Sequence, residues 1–120
     1  MTVTNKPSVS IAMTTYNAGP WLAPQLESFV LQSMRPDELV VCDDGSTDGT
    51  IEALHAFAET APFEVHVACN STTLTTTRNF EKSVSLCQGE FVFLADQDDV
   101  WLPHKIETLV GKLEANPNAG

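Results

Sequence analysis

Apolar residues along this chain arrive in short blocks that alternate with stretches of helical period. Ser8–Met13 (SVSIAM), Glu38–Cys42 (ELVVC), Phe63–Ala68 (FEVHVA) and Glu90–Ala95 (EFVFLA) have the length and composition of strands. After the first block a helix from Trp21 places Leu22, Leu26, Phe29 and Val30 on one face. A second carries Ile51, Leu54, Phe57 and Ala58, a third Phe80, Val84 and Cys87, and a fourth Ile106, Leu109, Val110 and Leu113. The punctuation agrees. Pro20 suits a first helical turn, Arg35-Pro36-Asp37 breaks the first helix, and Asp48 is placed to cap the second. Pro62 stops that helix, Gly89 suits the C-terminal end of the third, Pro103 opens the fourth, and Asn116-Pro117 closes it.

The order β-α-β-α-β-α-β-α predicts an α/β domain with a mainly parallel sheet covered on both faces. Residues 1–7 read as a tail and 8–120 as one domain. In such sheets ligands bind at the carboxyl ends of the strands, where the strand order reverses. The segments that follow strands are Thr14-Thr15-Tyr16-Asn17, Asp43–Asp48 and Asp96–Asp99, which is where the unusual polar residues lie.

Charge narrows the partners. Sixteen acidic residues against four Lys and two Arg, a formal charge of -10, exclude nucleic acid as the main partner. Cys42, Cys69 and Cys87 are odd in number, widely spaced and set in apolar contexts. They read as small buried hydrophobes of a reducing cytoplasm. No apolar run is long enough to span a bilayer, and the first ten residues lack the build of a signal peptide. The Asn70-Ser71-Thr72 sequon is then an accidental match. His55, His66 and His104 have no metal-ligand spacing and no nucleophile beside them.

The acidic loops carry the chemistry. Asp44, Ser46, Asp48 and Gly49 match half of a calcium-binding loop, but the twelfth position is His55, so that reading fails. Asp43 and Asp44 remain, paired at a strand end, with one expected to face the cleft and accept a base N–H or a ribose hydroxyl. Asp96 and Asp98, two apart, would point the same way in an extended segment and could hold one Mg²⁺ or Mn²⁺. Asp99 would cap a helix from Trp101. Such a cation would bridge a diphosphate and stabilise it as a leaving group. Tyr16, the only tyrosine, sits in a polar loop and suits stacking on a base. Arg78 starts a helix and could meet a diphosphate or pair with Glu81. Trp101 suits core packing. There is no phosphate-cradling P-loop, no Gly-rich basic loop after the first strand, and no acid at that strand's end as a phosphoacceptor site needs.

Three stretches together, "VSIAMTTYNAGPWLAPQLESFVLQS", "ELVVCDDGSTDGT" and "TRNFEKSV…CQGEFVFLADQDDVWLPHKIE", resemble the family 2 inverting glycosyltransferases. The resemblance runs from about Pro7 onward. It implies the Rossmann-like GT-A fold and a nucleotide-diphospho-sugar donor, UDP- or dTDP-linked. Tyr16 would stack on the base, Asp44 would accept from it, Asp43 would support the loop, and Thr14 would lie in the same donor-binding loop set. Asp96 would approach ribose and metal, Asp98 would be the main metal ligand of a DxD motif, and Arg78 would match the arginine of the family's "ARN" segment. The "DQDDVW" variant is similar to rhamnosyltransferase-like members that build bacterial surface polysaccharide. The acceptor implied is a saccharide or a lipid-linked sugar. The catalytic base and acceptor-binding half are expected beyond Gly120, with Glu107 and Glu114 poor candidates, and the parent enzyme is expected in the cytoplasm or at the inner face of the membrane. The alternative is a catalytically inactive nucleotide-binding piece that self-associates through an open sheet edge.

Overall fold

The computed structural model describes residues 7–115. Strands β1 (Val9–Thr15), β2 (Glu38–Asp43), β3 (Glu64–Cys69) and β4 (Phe91–Ala95) form one sheet in the order β3-β2-β1-β4, every pairing parallel. Helices α1 (Leu22–Val30), α2 (Thr50–Thr60), α3 (Thr76–Leu86) and α4 (Lys105–Ala115) follow the strands in turn, with a short 3₁₀ turn, Gly19–Trp21, leading into α1. The expected α/β alternation is the fold. β1 and β2 are central and buried along their whole length, which is why their sequences read as continuous apolar runs. Both run past the predicted ends, at Met13 and Cys42, because Thr14 and Thr15 pair with Cys42 and Asp43.

The register divides the sheet into two unlike faces. Val9, Ile11 and Met13 share a face with Leu39, Val41, Phe93 and Ala95. These pack with Leu22, Leu26 and Phe29 of α1, Leu54 of α2 and Ile106 and Val110 of α4, making the one large core. Trp101 closes it edge-on to Phe29, with ring centroids 4.8 Å apart, and Lys105 Nζ lies over the Trp101 ring at 4.3 Å from its centroid. Trp101 is thus core, as expected.

The opposite face departs from expectation. It carries Ser10, Ala12, Glu38, Val40, Cys42, Glu64 and His66, and α3 packs on β1 and β2 there. The expected apolar stripe Phe80–Val84–Cys87 is not the buried one; Asn79 and Ser83 are, while Val84 and Leu86 are exposed. Small polar side chains let the helix come close, and they make their own bonds: Ser83 Oγ donates to Val40 O at 3.0 Å and Asn79 Nδ2 to Cys42 O at 3.0 Å. Gly89 is also present for another reason than helix capping. α3 ends at Cys87 in extended backbone, and a Cβ on Gly89 would meet Ser10 N at 2.8 Å and Val9 C at 3.1 Å. Only glycine lets this loop lie against β1.

Candidate functional site

β2 and β3 extend the sheet on one side of β1 and β4 adds on the other, so the strand order reverses beside β1. At the carboxyl ends there lies a cleft of about 190 Å³ lined by Thr14, Thr15, Tyr16, Asp44, Thr76, Asn79, Asp96 and Gln97. It thus joins the ends of β1, β2 and β4 with the first turn of α3. A larger apolar hollow of about 630 Å³ lies along residues 99–109 and shares none of these side chains. Polar convergence, not size, marks the candidate site.

The two adjacent aspartates divide the work. Asp43 is 0% exposed, and both of its oxygens are committed. Oδ1 accepts from Thr15 Oγ1 at 2.7 Å and Ser46 Oγ at 2.6 Å, and Oδ2 accepts from Gly45 N at 3.0 Å and Ser46 N at 2.8 Å. Asp43 therefore holds the loop from inside and is not part of the cleft lining. Asp44 is the member that lines the cleft. Its Oδ1 accepts from Asn70 Nδ2 at 2.9 Å and Leu74 N at 2.8 Å, which ties the loop before α3 to the end of β2.

The loop after β1 is stitched to the loop after β2. Asn17 N donates to Ser46 Oγ at 2.8 Å, Thr47 N to Asn17 Oδ1 at 2.8 Å, Ala18 N to Thr50 Oγ1 at 3.0 Å, and Gly19 N to Asp48 Oδ2 at 3.0 Å. Gly49, not Asp48 as expected, holds the N-cap position of α2, and Asp48 one residue earlier ties the helix start to the other loop. α2 begins at Thr50 with Gly49 before it, and Asp48 Oδ1 accepts from Thr50 N and Thr50 Oγ1 while Oδ2 reaches the other loop. The Thr50 hydroxyl, above all, holds the Asp48 carboxyl below the usual carboxylate range. Tyr16, at 55% exposure, lines the cleft, and Tyr16 N donates to Gln97 Oε1 at 2.8 Å.

The segment after β4 is not extended. Gln97 and Asp98 form a turn, and Asp98 has φ +74°, so the same-side argument for Asp96 and Asp98 does not hold. Asp96 lines the cleft, with its backbone carbonyl held by Gln25 Nε2 from α1; Asp98 is exposed and outside the lining. α4 starts at Lys105, so Asp99 caps nothing; its Oδ2 accepts from Trp101 Nε1 at 3.3 Å. Its helix is capped across space. Gln32 Oε1 accepts from Ile106 N at 3.0 Å, and Gln32 Nε2 donates to Leu102 O at 2.7 Å.

Would these carboxylates suit a divalent cation? Neither the Asp96 nor the Asp98 side chain has a hydrogen-bond or ion-pair partner among the described residues, so both sets of hard oxygens are available. They do not, with Asp99, form a closed trio of ligand atoms. Mg²⁺ and Mn²⁺ sites built from one or two carboxylates and completed by substrate phosphates need no such trio. The donor set fits on that ground. Arg78 stands in the first turn of α3, exposed, outside the cleft lining and unpaired with Glu81. Thr76 and Asn79 of that turn line the cleft instead, and the sequence reading missed both, with Gln97 and Thr15.

Comparison with known proteins agrees with the fold. The chain is 32% identical over 108 residues to EpsE of Bacillus subtilis (strain 168), a glycosyltransferase by assignment, covering 90% of this chain and 39% of that protein. It is 27% identical over 108 residues to the UDP-Glc:α-D-GlcNAc-diphosphoundecaprenol β-1,3-glucosyltransferase WfgD of Escherichia coli, covering 90% of this chain and 42% of WfgD. Among solved structures, the mannosyltransferase PcManGT of Pyrobaculum calidifontis, in complex with GDP-Man and Mn²⁺, superposes with a TM-score of 0.84 at 28% identity, covering 98% of this chain and 35% of that one. The chain therefore spans under half the length of each of these three proteins. The family model for glycosyl transferase family 2 matches residues 10–120, and the chain belongs to that family.

Proposed function

We propose that this chain forms the donor site of an inverting glycosyltransferase that moves a sugar from a nucleotide diphosphate to a saccharide or lipid-linked acceptor. The observation that carries the reading is the cleft itself. Tyr16, Asp44 and Asp96, from three separate strand ends, line one hollow where the strand order reverses. Tyr16 offers an exposed ring for the base, Asp44 an acceptor for its ring N–H, and Asp96 a carboxylate for ribose and metal. Thr14 lines the same hollow from the end of β1. Asp98, in its left-handed turn, supplies the second carboxylate. A Mg²⁺ or Mn²⁺ held there would neutralise the diphosphate leaving group. Arg78 stands in the first turn of α3, outside the cleft lining; in this proposal it swings in to meet the phosphates, since helix N–H groups favour anions there. None of the residues lining the cleft is assigned as the base that deprotonates the acceptor.

UDP- and dTDP-sugars suit an aspartate acceptor at a pyrimidine N3–H; a deoxyhexosyl donor such as a rhamnosyl nucleotide is one member of that class. WfgD uses UDP-Glc and a diphosphoundecaprenol-linked acceptor, and this likeness supports a role in surface polysaccharide at the inner face of the membrane. Among the described residues no helix is long and apolar enough to cross a membrane. The test is a thermal-shift titration with UDP, dTDP and GDP, each with and without Mn²⁺, on the wild type, Asp98→Ala and Tyr16→Ala. Ligand at 100 times its Kd stabilises by about 2.7 kcal/mol. A Mn²⁺-dependent shift for a pyrimidine nucleotide, lost in both variants, is expected. No shift with any nucleotide would sink the donor-site reading for this chain and leave the self-associating piece, readable as a dimer by sedimentation.

A further inference from the structure

We infer that the chain carries a second cation site, for a borderline transition ion such as Zn²⁺, at the end of the sheet away from the donor cleft. Glu38 opens β2, and Glu64 and His66 lie on β3; the register pairs Glu38 with Glu64 and Val40 with His66, so all three side chains share the α3-side face. His66 Nε2 lies 3.4 Å from Glu64 Oε2 and 3.7 Å from Glu38 Oε1, and all three ligand atoms fall within 4.8 Å of one another. Zn–N and Zn–O bonds of about 2.0–2.2 Å at tetrahedral angles separate neighbouring ligands by about 3.3–3.6 Å. Small side-chain movements therefore bring one ion into contact with all three.

A second observation points the same way. Glu38 is buried, with a side chain only 8% exposed, and no Lys or Arg pairs with it among the described residues. Its Oε2 is held by Ser10 Oγ at 2.6 Å and by Gln88 N at 2.5 Å, while Oε1 accepts no hydrogen bond and faces the imidazole. A ligand oxygen left open while its twin is fixed by outer donors is how metal-binding carboxylates are oriented. Glu38 and Glu64 also line a cavity of about 440 Å³, which leaves room for a water or a fourth ligand. Imidazole plus carboxylates selects Zn²⁺, Co²⁺ or Ni²⁺ over Mg²⁺. Bound, the ion would staple the edge strand β3 to β2.

The probe is ZnCl₂ alone, titrated into the untagged chain and followed by calorimetry and by the His66 imidazole resonances. One equivalent is expected to shift His66 saturably, with Mg²⁺ producing no such shift. His66→Ala and Glu64→Gln, both at exposed positions that should fold normally, are each expected to weaken Zn²⁺ binding at least tenfold. Asp98→Ala should leave this affinity unchanged, which separates the site from the donor cleft. Unperturbed His66 resonances at equimolar Zn²⁺, or equal affinity in His66→Ala, would overturn the site and leave a plain His–carboxylate cluster.

Discussion

Asp43→Ala should unfold the logic of the donor loop without touching the cleft surface. The carboxylate receives four hydrogen bonds, from Thr15 Oγ1, Gly45 N, Ser46 N and Ser46 Oγ, and is wholly buried. Hydrogen bonds to a charged group are worth about 1.5–3 kcal/mol each, but the sum overstates the loss, because a donor that can reach water recovers most of its cost. Gly45 is exposed and Ser46 half-exposed, so their donors re-solvate. Thr15 is buried and cannot. One stranded donor, a small cavity and a loosened loop together come to about 3–4 kcal/mol, a large share of the about 5–15 kcal/mol typical of a domain. Urea unfolding with an m-value of about 1–2 kcal/mol/M should lose about 1.5–4 M of midpoint. Asp96→Ala, whose carboxylate bonds nothing among the described residues, should shift stability by less than about 0.5 kcal/mol and yet lose nucleotide binding. A loss under about 1 kcal/mol in Asp43→Ala would refute the assignment of this residue as the loop's internal support.

Two glycines should answer the same substitution with opposite signs: Gly89→Ala meets β1 backbone and should cost about 2–3 kcal/mol, while Gly111→Ala, in open space on α4, should gain about 0.5–1 kcal/mol, both by urea titration. Gln32→Ala removes the cap on Ile106 N and the bond to Leu102 O and should cost about 2 kcal/mol, with faster amide exchange at the start of α4. The depressed pKa of Asp48 stabilises the fold above the ordinary carboxylate range and is lost as pH falls through the folded value, so Asp48→Asn should flatten the acid limb of a pH–stability profile below about pH 4. Burial, with Glu38 nearby, pushes the Cys87 thiol up to about 11, so near pH 8 the exposed Cys69 should be alkylated first, and a pH-independent equal rate at both would contradict it. A thiol whose folded pKa is raised destabilises the fold as pH climbs past its unfolded value, so stability should also decline above about pH 9.

The alternation of strands and helices, the parallel sheet and the place of the candidate cleft were legible in the chain, because buried parallel strands must be apolar and polar loops in such sheets follow them. The acidic loops announced themselves for the same reason: carboxylates at the ends of buried strands need a task. Other features depended on what came to lie beside them. Which of Asp43 and Asp44 faces the cleft is decided by Thr15 and Ser46, one of them 28 residues away. The Asp96–Asp98 spacing implied a shared direction only for extended backbone, and a turn at φ +74° removed that premise. α3 was read by its apolar stripe, whereas close packing on the sheet rewarded Asn79 and Ser83, which bond strand carbonyls. Gln32 capping α4 and the approach of Glu38, Glu64 and His66 depend on partners that chain order alone does not reveal. Local periodicity and turn chemistry are properties of neighbouring residues, so the sequence alone determined the elements, their order and the polar loops that line the candidate cleft. Orientation, capping at a distance and the pairing of charges across strands are set by contacts between residues far apart in the chain, and those only the tertiary structure decided.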